Sequence, residues 1–124
     1  MSWQILASIA FGGALGAILR YLILQIVETS SGFPVGTLLI NVCGSFLIGV
    51  VYVLILEKSA ISELWRPFLM VGLLGGFTTF STFSLEAVYL FEDGRLFTAL
   101  SYVVLSAILC ILAAFIAMQI TRSF

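Results

Sequence analysis

The sequence predicts an all-α integral membrane protein with four transmembrane helices, the third of them broken near its middle. Three observations lead to this fold class. Of the 124 residues, 62% are hydrophobic and 9% are charged, and the mean hydropathy is +1.25. A bilayer span needs about 20 apolar residues, and four such stretches use nearly the whole chain. The third observation is a glycine- and hydroxyl-rich motif inside the third stretch, which predicts the break.

The predicted spans cover residues of about 3–27, 35–56, 65–91 and 96–120. Because the links between them are short, we expect a single four-helix transmembrane domain over residues 1–124 with no soluble module attached. We also expect the first span to be retained rather than cleaved as a signal peptide. It is long enough to cross the bilayer, and no basic residue precedes it.

The residue types that are missing exclude several classes of chemistry. The chain has no histidine, and its two cysteines, Cys43 and Cys110, fall inside predicted spans. There they are typical of small packing residues rather than of a disulfide or a metal pair. Without histidine, no Ser–His or Cys–His nucleophile can be built, and a transition-metal site would need an unusual ligand set. We therefore expect no enzyme activity, and we expect no nucleic-acid partner.

The most informative segment is Gly72–Ser84, which reads GLLGGFTTFSTFS and lies in the middle of the third span. So many glycines and hydroxyls are not typical of a lipid-facing helix. In hydrocarbon, irregular backbone survives only where it is buried in protein or lines a polar cavity. We expect the helix to break where Gly75-Gly76 is followed by Thr78-Thr79, and such a break at the midplane usually marks an ion or substrate site.

Phe80 and Phe83 share one helix face just after this point, because they are three residues apart. Two interpretations are open. The rings could pack in a core, as aromatics at helical spacing usually do, or their positive edges could face an anion. Hydroxyls alongside would replace part of the anion's hydration, and the lack of a fixed cation would favour passage over tight capture. These hydroxyls belong to Thr78, Thr79, Ser81, Thr82 and Ser84.

Four other polar side chains inside the spans each have two interpretations, since burying them costs free energy unless they find partners. Arg20 could reach the headgroups or mark the mouth of an anion path. Asn41 could join two helices through its amide or donate to an anion. Glu86 could form an internal pair or act as a coupling or gating group. Ser106 could simply bond back to its own helix.

The positive charges give only a weak bias in membrane orientation. Lys58, Arg66 and Arg122 lie on one side, and Arg95 lies on the other, with Arg20 if its side chain reaches the interface. The protein could insert one way, or insert both ways and pair antiparallel. We favour the antiparallel homodimer, because four short spans can hardly enclose a path alone.

Small residues four apart also favour close helix packing, either within one subunit or between subunits. Three such pairs occur: Gly12 with Gly16, Ser45 with Gly49, and Gly72 with Gly76.

The chain resembles, over its whole length, the Fluc family of fluoride channels, also called CrcB proteins. The resemblance rests on GGALGAILRY at Gly12–Tyr21, PVGTLLINVCGSFLIG at Pro34–Gly49 and GLLGGFTTFSTFSLE at Gly72–Glu86. It implies a passive, fluoride-selective ion channel that exports fluoride from the cytoplasm and relieves fluoride toxicity. It also implies a multi-pass protein of the prokaryotic plasma (inner) membrane, in contact with membrane lipid, that forms antiparallel, dual-topology homodimers. Each dimer would hold two pores and a central structural sodium ion.

The same resemblance assigns roles to five residues around the break. The backbone carbonyls of Gly75 and Thr78 would bind the sodium ion, together with the same two carbonyls of the partner subunit. Phe80 and Phe83 would present their ring edges to fluoride. Asn41 would donate its amide to the same ion.

Further residues would complete the path. Ser81 and Thr82 would contribute hydroxyls beside the rings, and Arg20 would attract anions from an aqueous vestibule. The possible pore-lining residues are Ser84, Glu86 and Ser106. In the fourth span the motif is weakest, so Tyr102 and Cys110 are only loose candidates for the lining.

Two other functions stay open on the residues alone. A small proton-coupled multidrug or cation exporter also has four short helices that can pair antiparallel. Such exporters need an exchangeable carboxylate, which that family carries in span 1, whereas span 1 here contains Arg20 and no acid; Glu86 could take over that role. The chain could also be a non-transporting subunit, in which case apolar replacements of Phe80, Phe83 and Asn41 would leave flux unchanged.

Overall fold

Four membrane-length helices make up the computed structural model, which describes residues 2–27 and 31–124. Helix α1 is Trp3–Ile26 and begins at Ser2, whose hydroxyl accepts from the Gln4 N–H. Helix α2 is Val35–Tyr52 and continues as a π-helix over Val53–Glu57. The fourth span is a single helix, Leu96–Ser123. All four spans are long and apolar enough to cross a bilayer, which confirms the predicted all-α membrane architecture.

The third span, Glu63–Glu92, is broken near its middle, as predicted. It begins with a 3₁₀ turn at Glu63–Trp65, continues as a π-helix over Pro67–Leu74, and ends its first half in α3, Gly75–Phe77. Its second half is α4, Phe80–Glu92. The helix of the fourth span, Leu96–Ser123, is α5. The first half of the third span is hereafter residues 67–77.

The break itself consists of two extended residues. Thr78 has φ −82° and ψ 157°, and Thr79 has φ −151° and ψ 114°. Gly75 remains helical at φ −62° and ψ −39°. The glycines of the motif therefore do not supply the unusual backbone angles, and the threonines do.

The glycines instead permit two helix backbones to touch. A Cβ added at Gly12 would lie 2.6 Å from the Phe68 carbonyl oxygen, and one added at Gly76 would lie 2.6 Å from the Gly13 oxygen. Helix α1 thus packs closely on the first half of the third span. A Cβ at Gly49 would lie 2.7 Å from the oxygen of Ala114 on α5. The three small-residue pairs each place a glycine in a contact of this kind within one subunit.

The remaining helices form a second packed group. Helix α2 lies along α5, and α4 also packs on α5. A buried cluster fills the space between them, and its largest fully enclosed side chain is Tyr102. The third span therefore crosses from one helix pair to the other, with α1 beside its first half and α5 beside its second. The break at Thr78–Thr79 is the crossing point.

Polar contacts join the helices at both ends of the bundle. Arg122, at the end of α5, donates through Nε and Nη2 to the Glu57 carboxylate at 2.8 and 2.6 Å. At the opposite end, Arg95 Nη1 donates to the Gly32 carbonyl at 3.0 Å. Between these ends the outer surface is apolar, with Phe11, Ile18 and Ile111 among the exposed side chains. This is the surface expected of a multi-pass membrane protein.

Candidate functional site

An open groove of about 640 Å³ runs beside the helix break. Its walls come from α2, both halves of the third span and α5. Its polar lining consists of Asn41, Ser45, Thr78, Thr79 and Ser106, and its aromatic lining of Phe80 and Phe83. None of the described residues that line it is acidic or basic. The groove therefore offers dipoles and ring edges, and no fixed charge.

The side chain of Asn41 holds the break from across the groove. Its Oδ1 accepts from the Thr79 N–H at 2.9 Å, and its Nδ2 donates to the Thr79 carbonyl at 3.0 Å. Both backbone groups of one extended residue are thus satisfied by one amide. At membrane depth this matters, because an unpaired backbone group in hydrocarbon costs several kcal/mol.

The side chain of Thr79 starts the next helix. Its Oγ1 accepts from the Thr82 N–H at 3.2 Å and donates to Thr82 Oγ1 at 3.0 Å. This is the N-cap arrangement that threonine favours, since it satisfies a donor at the helix start. Because Thr82 accepts at its oxygen, its own hydroxyl hydrogen can point elsewhere.

Because of these two contacts, two backbone carbonyls lose the N–H donors that a continuous helix would give them. In a continuous α-helix the Thr79 N–H would donate to Gly75, and the Thr82 N–H would donate to Thr78. Here they donate to Asn41 Oδ1 and Thr79 Oγ1 instead. Both carbonyl-bearing residues line the groove, and Gly75 is exposed. Backbone oxygens of this kind suit a hard cation, so the residues present fit the sodium site that the resemblance implies.

The two phenylalanines occupy different environments. Phe80 is 78% exposed, so it is not a core residue of the subunit. Phe83 is half-buried, with its ring centroid 5.3 Å from that of Phe80 and 5.0 Å from that of Tyr102. The row of rings continues to Phe33, whose centroid lies 5.4 Å from Tyr102 in an edge-to-face arrangement. The Phe80 ring therefore borders the groove, and the Phe83 ring packs between it and Tyr102.

Glu86 lies one turn beyond the rings and faces a second cavity. Its Oε1 accepts from the Thr37 hydroxyl at 2.6 Å. The cavity, of about 580 Å³, opens between residues 32–34 and the end of α4, and Glu92 and Asp93 also border it. Tyr102 lies beside Thr37 and Glu86, and its hydroxyl is buried there.

The groove brings together only part of the predicted site. Of the predicted residues, Asn41, Gly75, Thr78, Phe80, Phe83 and Ser106 line it. Five others lie near the groove or beyond it, and one of these is Glu86, which faces the second cavity. Ser81 is exposed beside Thr79, Thr82 belongs to the cap, and Ser84 Oγ donates to its own helix at the Phe80 carbonyl. Arg20 is half-buried on α1, outside the groove lining.

Two residues of this region were not singled out from the sequence for the parts they play. Thr79 was only one hydroxyl among several. Yet its backbone is the part of the break that Asn41 binds, and its side chain caps the next helix. Thr37, the donor to Glu86, carried no prediction. A usable signal existed for Thr37, because it precedes Asn41 by four residues and so shares its helix face.

A known protein family matches most of the chain. Residues 7–118 match the model of the CrcB-like proteins, described as "Camphor Resistance (CrcB)". This chain belongs to the CrcB family. The motifs that carry the resemblance in the sequence, including the broken third span of this CrcB protein, all lie within the matched residues.

Curated relatives of this CrcB protein bear the name "Fluoride-specific ion channel FluC". The one from Saccharophagus degradans is 47% identical over 116 residues, covering 93% of this chain and 87% of the relative. That from Hahella chejuensis is 46% identical over 124 residues and covers 98% of both chains. The relative from Shewanella amazonensis is 48% identical over 119 residues, covering 93% of this chain and 94% of its own.

Proposed function

We propose that this CrcB protein is a passive fluoride-selective ion channel of the prokaryotic inner membrane that exports fluoride from the cytoplasm. The observation that carries the proposal is the uncharged groove at the break, where the Asn41 amide, the exposed Phe80 ring and the Ser106 hydroxyl converge. The names of its relatives support the same ion.

The chemistry of the groove suits a small, hard anion that must leave again. Amide and hydroxyl donors replace water around the ion, and the positive edges of the Phe80 and Phe83 rings attract it weakly. A lysine or arginine in the same place would hold the anion and slow its release. Conduction requires binding that is favourable enough for entry and weak enough for exit.

The complete path would need a second copy of the chain. The groove is open along one side, and Phe80 is exposed in the single subunit. In an antiparallel, dual-topology homodimer the partner subunit would close each groove, so that two pores result. Membrane lipid would cover the remaining apolar surface. Ser81 and Thr82 would then contribute hydroxyls from beside the cap, and Arg20 would attract anions toward a vestibule.

Sodium would be the structural cation of this dimer. The carbonyls of Gly75 and Thr78 would hold it, since their helical donors are engaged by Asn41 and Thr79. The ion would fasten the subunits and add positive potential near the pores.

Ion release from liposomes tests the proposed function. Vesicles loaded with fluoride and chloride, reconstituted with the protein and given valinomycin as a potassium shunt, should release fluoride rapidly and retain chloride. Two ion-selective electrodes record both ions in one sample, and protein-free vesicles give the background. Folded protein that releases no fluoride would refute the channel. If a proton gradient instead drove cation uptake, the proton-coupled exporter acting through Glu86 would be the better function.

Removal of sodium tests the cation site. Exchange into N-methylglucamine is expected to weaken the dimer and to lower fluoride release, because the Gly75 and Thr78 carbonyls would face each other without a bridging charge. Size-exclusion chromatography and the electrode assay measure the two effects. Identical dimer stability and flux with and without sodium would contradict the site while leaving the fluoride path standing.

A further inference from the structure

We infer that Asn41 is a positioning residue for the cation site: by clamping Thr79 it keeps the Gly75 carbonyl available to the ion. This inference rests on the proposed function, specifically on the sodium ion at the break. It assigns to Asn41 a role distinct from that of an amide donor to fluoride.

The geometry of the clamp carries the inference. The Asn41 amide makes two hydrogen bonds to a single residue, at 2.9 Å to the Thr79 N–H and at 3.0 Å to the Thr79 carbonyl. Asn41 lies on α2, 38 residues earlier in the chain, so the contact joins two spans rather than two neighbours. Within the third span the competing acceptor for the same N–H is the Gly75 carbonyl.

Without the clamp, the backbone of the third span could pair its own polar groups. The Thr79 N–H would return to the Gly75 carbonyl, as in an ordinary helix, because neither group tolerates being unpaired in the membrane. The Gly75 oxygen would then have one acceptor site engaged and its direction fixed by the helix. Cation binding would then have to share the oxygen with that hydrogen bond, in a direction that the helix sets.

Two substitutions of Asn41 separate the clamp from any direct contact with the anion. Asn41→Asp keeps an oxygen acceptor for the Thr79 N–H, loses the amide donor and adds a negative charge when ionised. Asn41→Leu has similar size and loses both. The matched control is Gln119→Leu, which removes an amide from an exposed position on α5, away from the break.

The experiment measures sodium half-saturation for each variant. Purified dimers are titrated with sodium in an N-methylglucamine background, and both thermal stability and fluoride release are recorded. For Asn41→Leu the half-saturating sodium concentration should rise about tenfold, since the cation competes with a hydrogen bond for one carbonyl oxygen in each subunit. For Gln119→Leu it should stay at the wild-type value. Asn41→Asp should not raise the half-saturating sodium concentration, because its oxygen still accepts from the Thr79 N–H and a negative charge there favours the cation, while its fluoride release should fall.

Four outcomes decide between these possibilities. A rise in half-saturating sodium for Asn41→Leu but not for Asn41→Asp supports the clamp. Loss of fluoride release in both variants with sodium half-saturation unchanged overturns it and leaves Asn41 as an anion donor only. A wild-type protein that releases fluoride without any dependence on sodium overturns the clamp together with the sodium site, and the fluoride function survives. If Asn41→Leu yields no dimer even in saturating sodium, Asn41→Ala decides, and an unchanged half-saturation there also overturns the clamp.

Discussion

Fluoride release through Phe83→Ile is expected to fall about tenfold, and through the Phe80→Ile, Phe83→Ile double variant about a hundredfold. The quadrupole contributes about 0.5–1.5 kcal/mol beyond buried area in a pair of aromatic rings, and we take a ring edge that faces an anion to be of the same order. Isoleucine keeps the apolar bulk without the positive edge. The electrode assay on vesicles with equal amounts of dimer measures the effect. Because Phe80 is exposed and Phe83 only half-buried, the fold should survive both changes.

Phe97→Ile is the matched control for the ring substitutions. Phe97 is 84% exposed at the start of α5 and lies outside the groove lining. Its replacement should leave fluoride release at the wild-type rate. Equal rates for the double variant, the control and the wild type would remove the rings from the mechanism and favour the alternative of a non-transporting subunit.

Gly12→Ala is expected to lower the free energy of unfolding by at least about 2 kcal/mol, at the upper part of the usual range for overpacking. The new methyl group would sit 2.6 Å from the Phe68 carbonyl oxygen and 2.9 Å from the Leu73 nitrogen. Both are backbone atoms, so no side chain can move aside, and α1 has to separate from the third span. Denaturant unfolding in detergent micelles measures the change.

The adjacent glycine supplies a control one residue away. At Gly13 the nearest atom to an added Cβ is the Gly72 oxygen at 3.9 Å, which is an ordinary contact. Gly13→Ala should therefore be neutral or stabilising by up to about 1 kcal/mol, since alanine favours a helix over glycine. Similar losses in both variants would show that the close approach of these backbones does not limit stability.

Hydropathy and motif were enough to predict the architecture of this protein from its sequence. Four apolar stretches gave four helices, because each must satisfy its backbone internally to cross a bilayer. The motif of glycines and threonines gave the break, which the structure places at Thr78 and Thr79. The predicted position is thereby confirmed, but the way in which the break is stabilised was not readable locally. It depends on an amide on another span, at Asn41, and on which threonine becomes the cap.

Other features of the site were hidden for related reasons. The π-helical stretch Pro67–Leu74 shifts the register of the residues that follow it, and an apolar run carries no periodic signal for such a shift. Which spans pair was equally hidden, so the contact from Thr37 to Glu86 carried no prediction. The glycine contacts became assignable to one subunit only when the opposing backbone atoms were known.

The crossing of the third span has a consequence for biogenesis. Helices α1 and α2 are synthesised first, yet they contact each other little. The main packing partner of each is a segment that is synthesised later. Helix α1 gains its partner when residues 67–77 emerge, and α2 gains its own only with α5. The bundle is therefore closed by the fourth span, the last of these four to be synthesised. A chain arrested before α5 would insert three helices and leave α2 and α4 exposed to lipid on the faces that α5 covers, a state suited to capture by quality control.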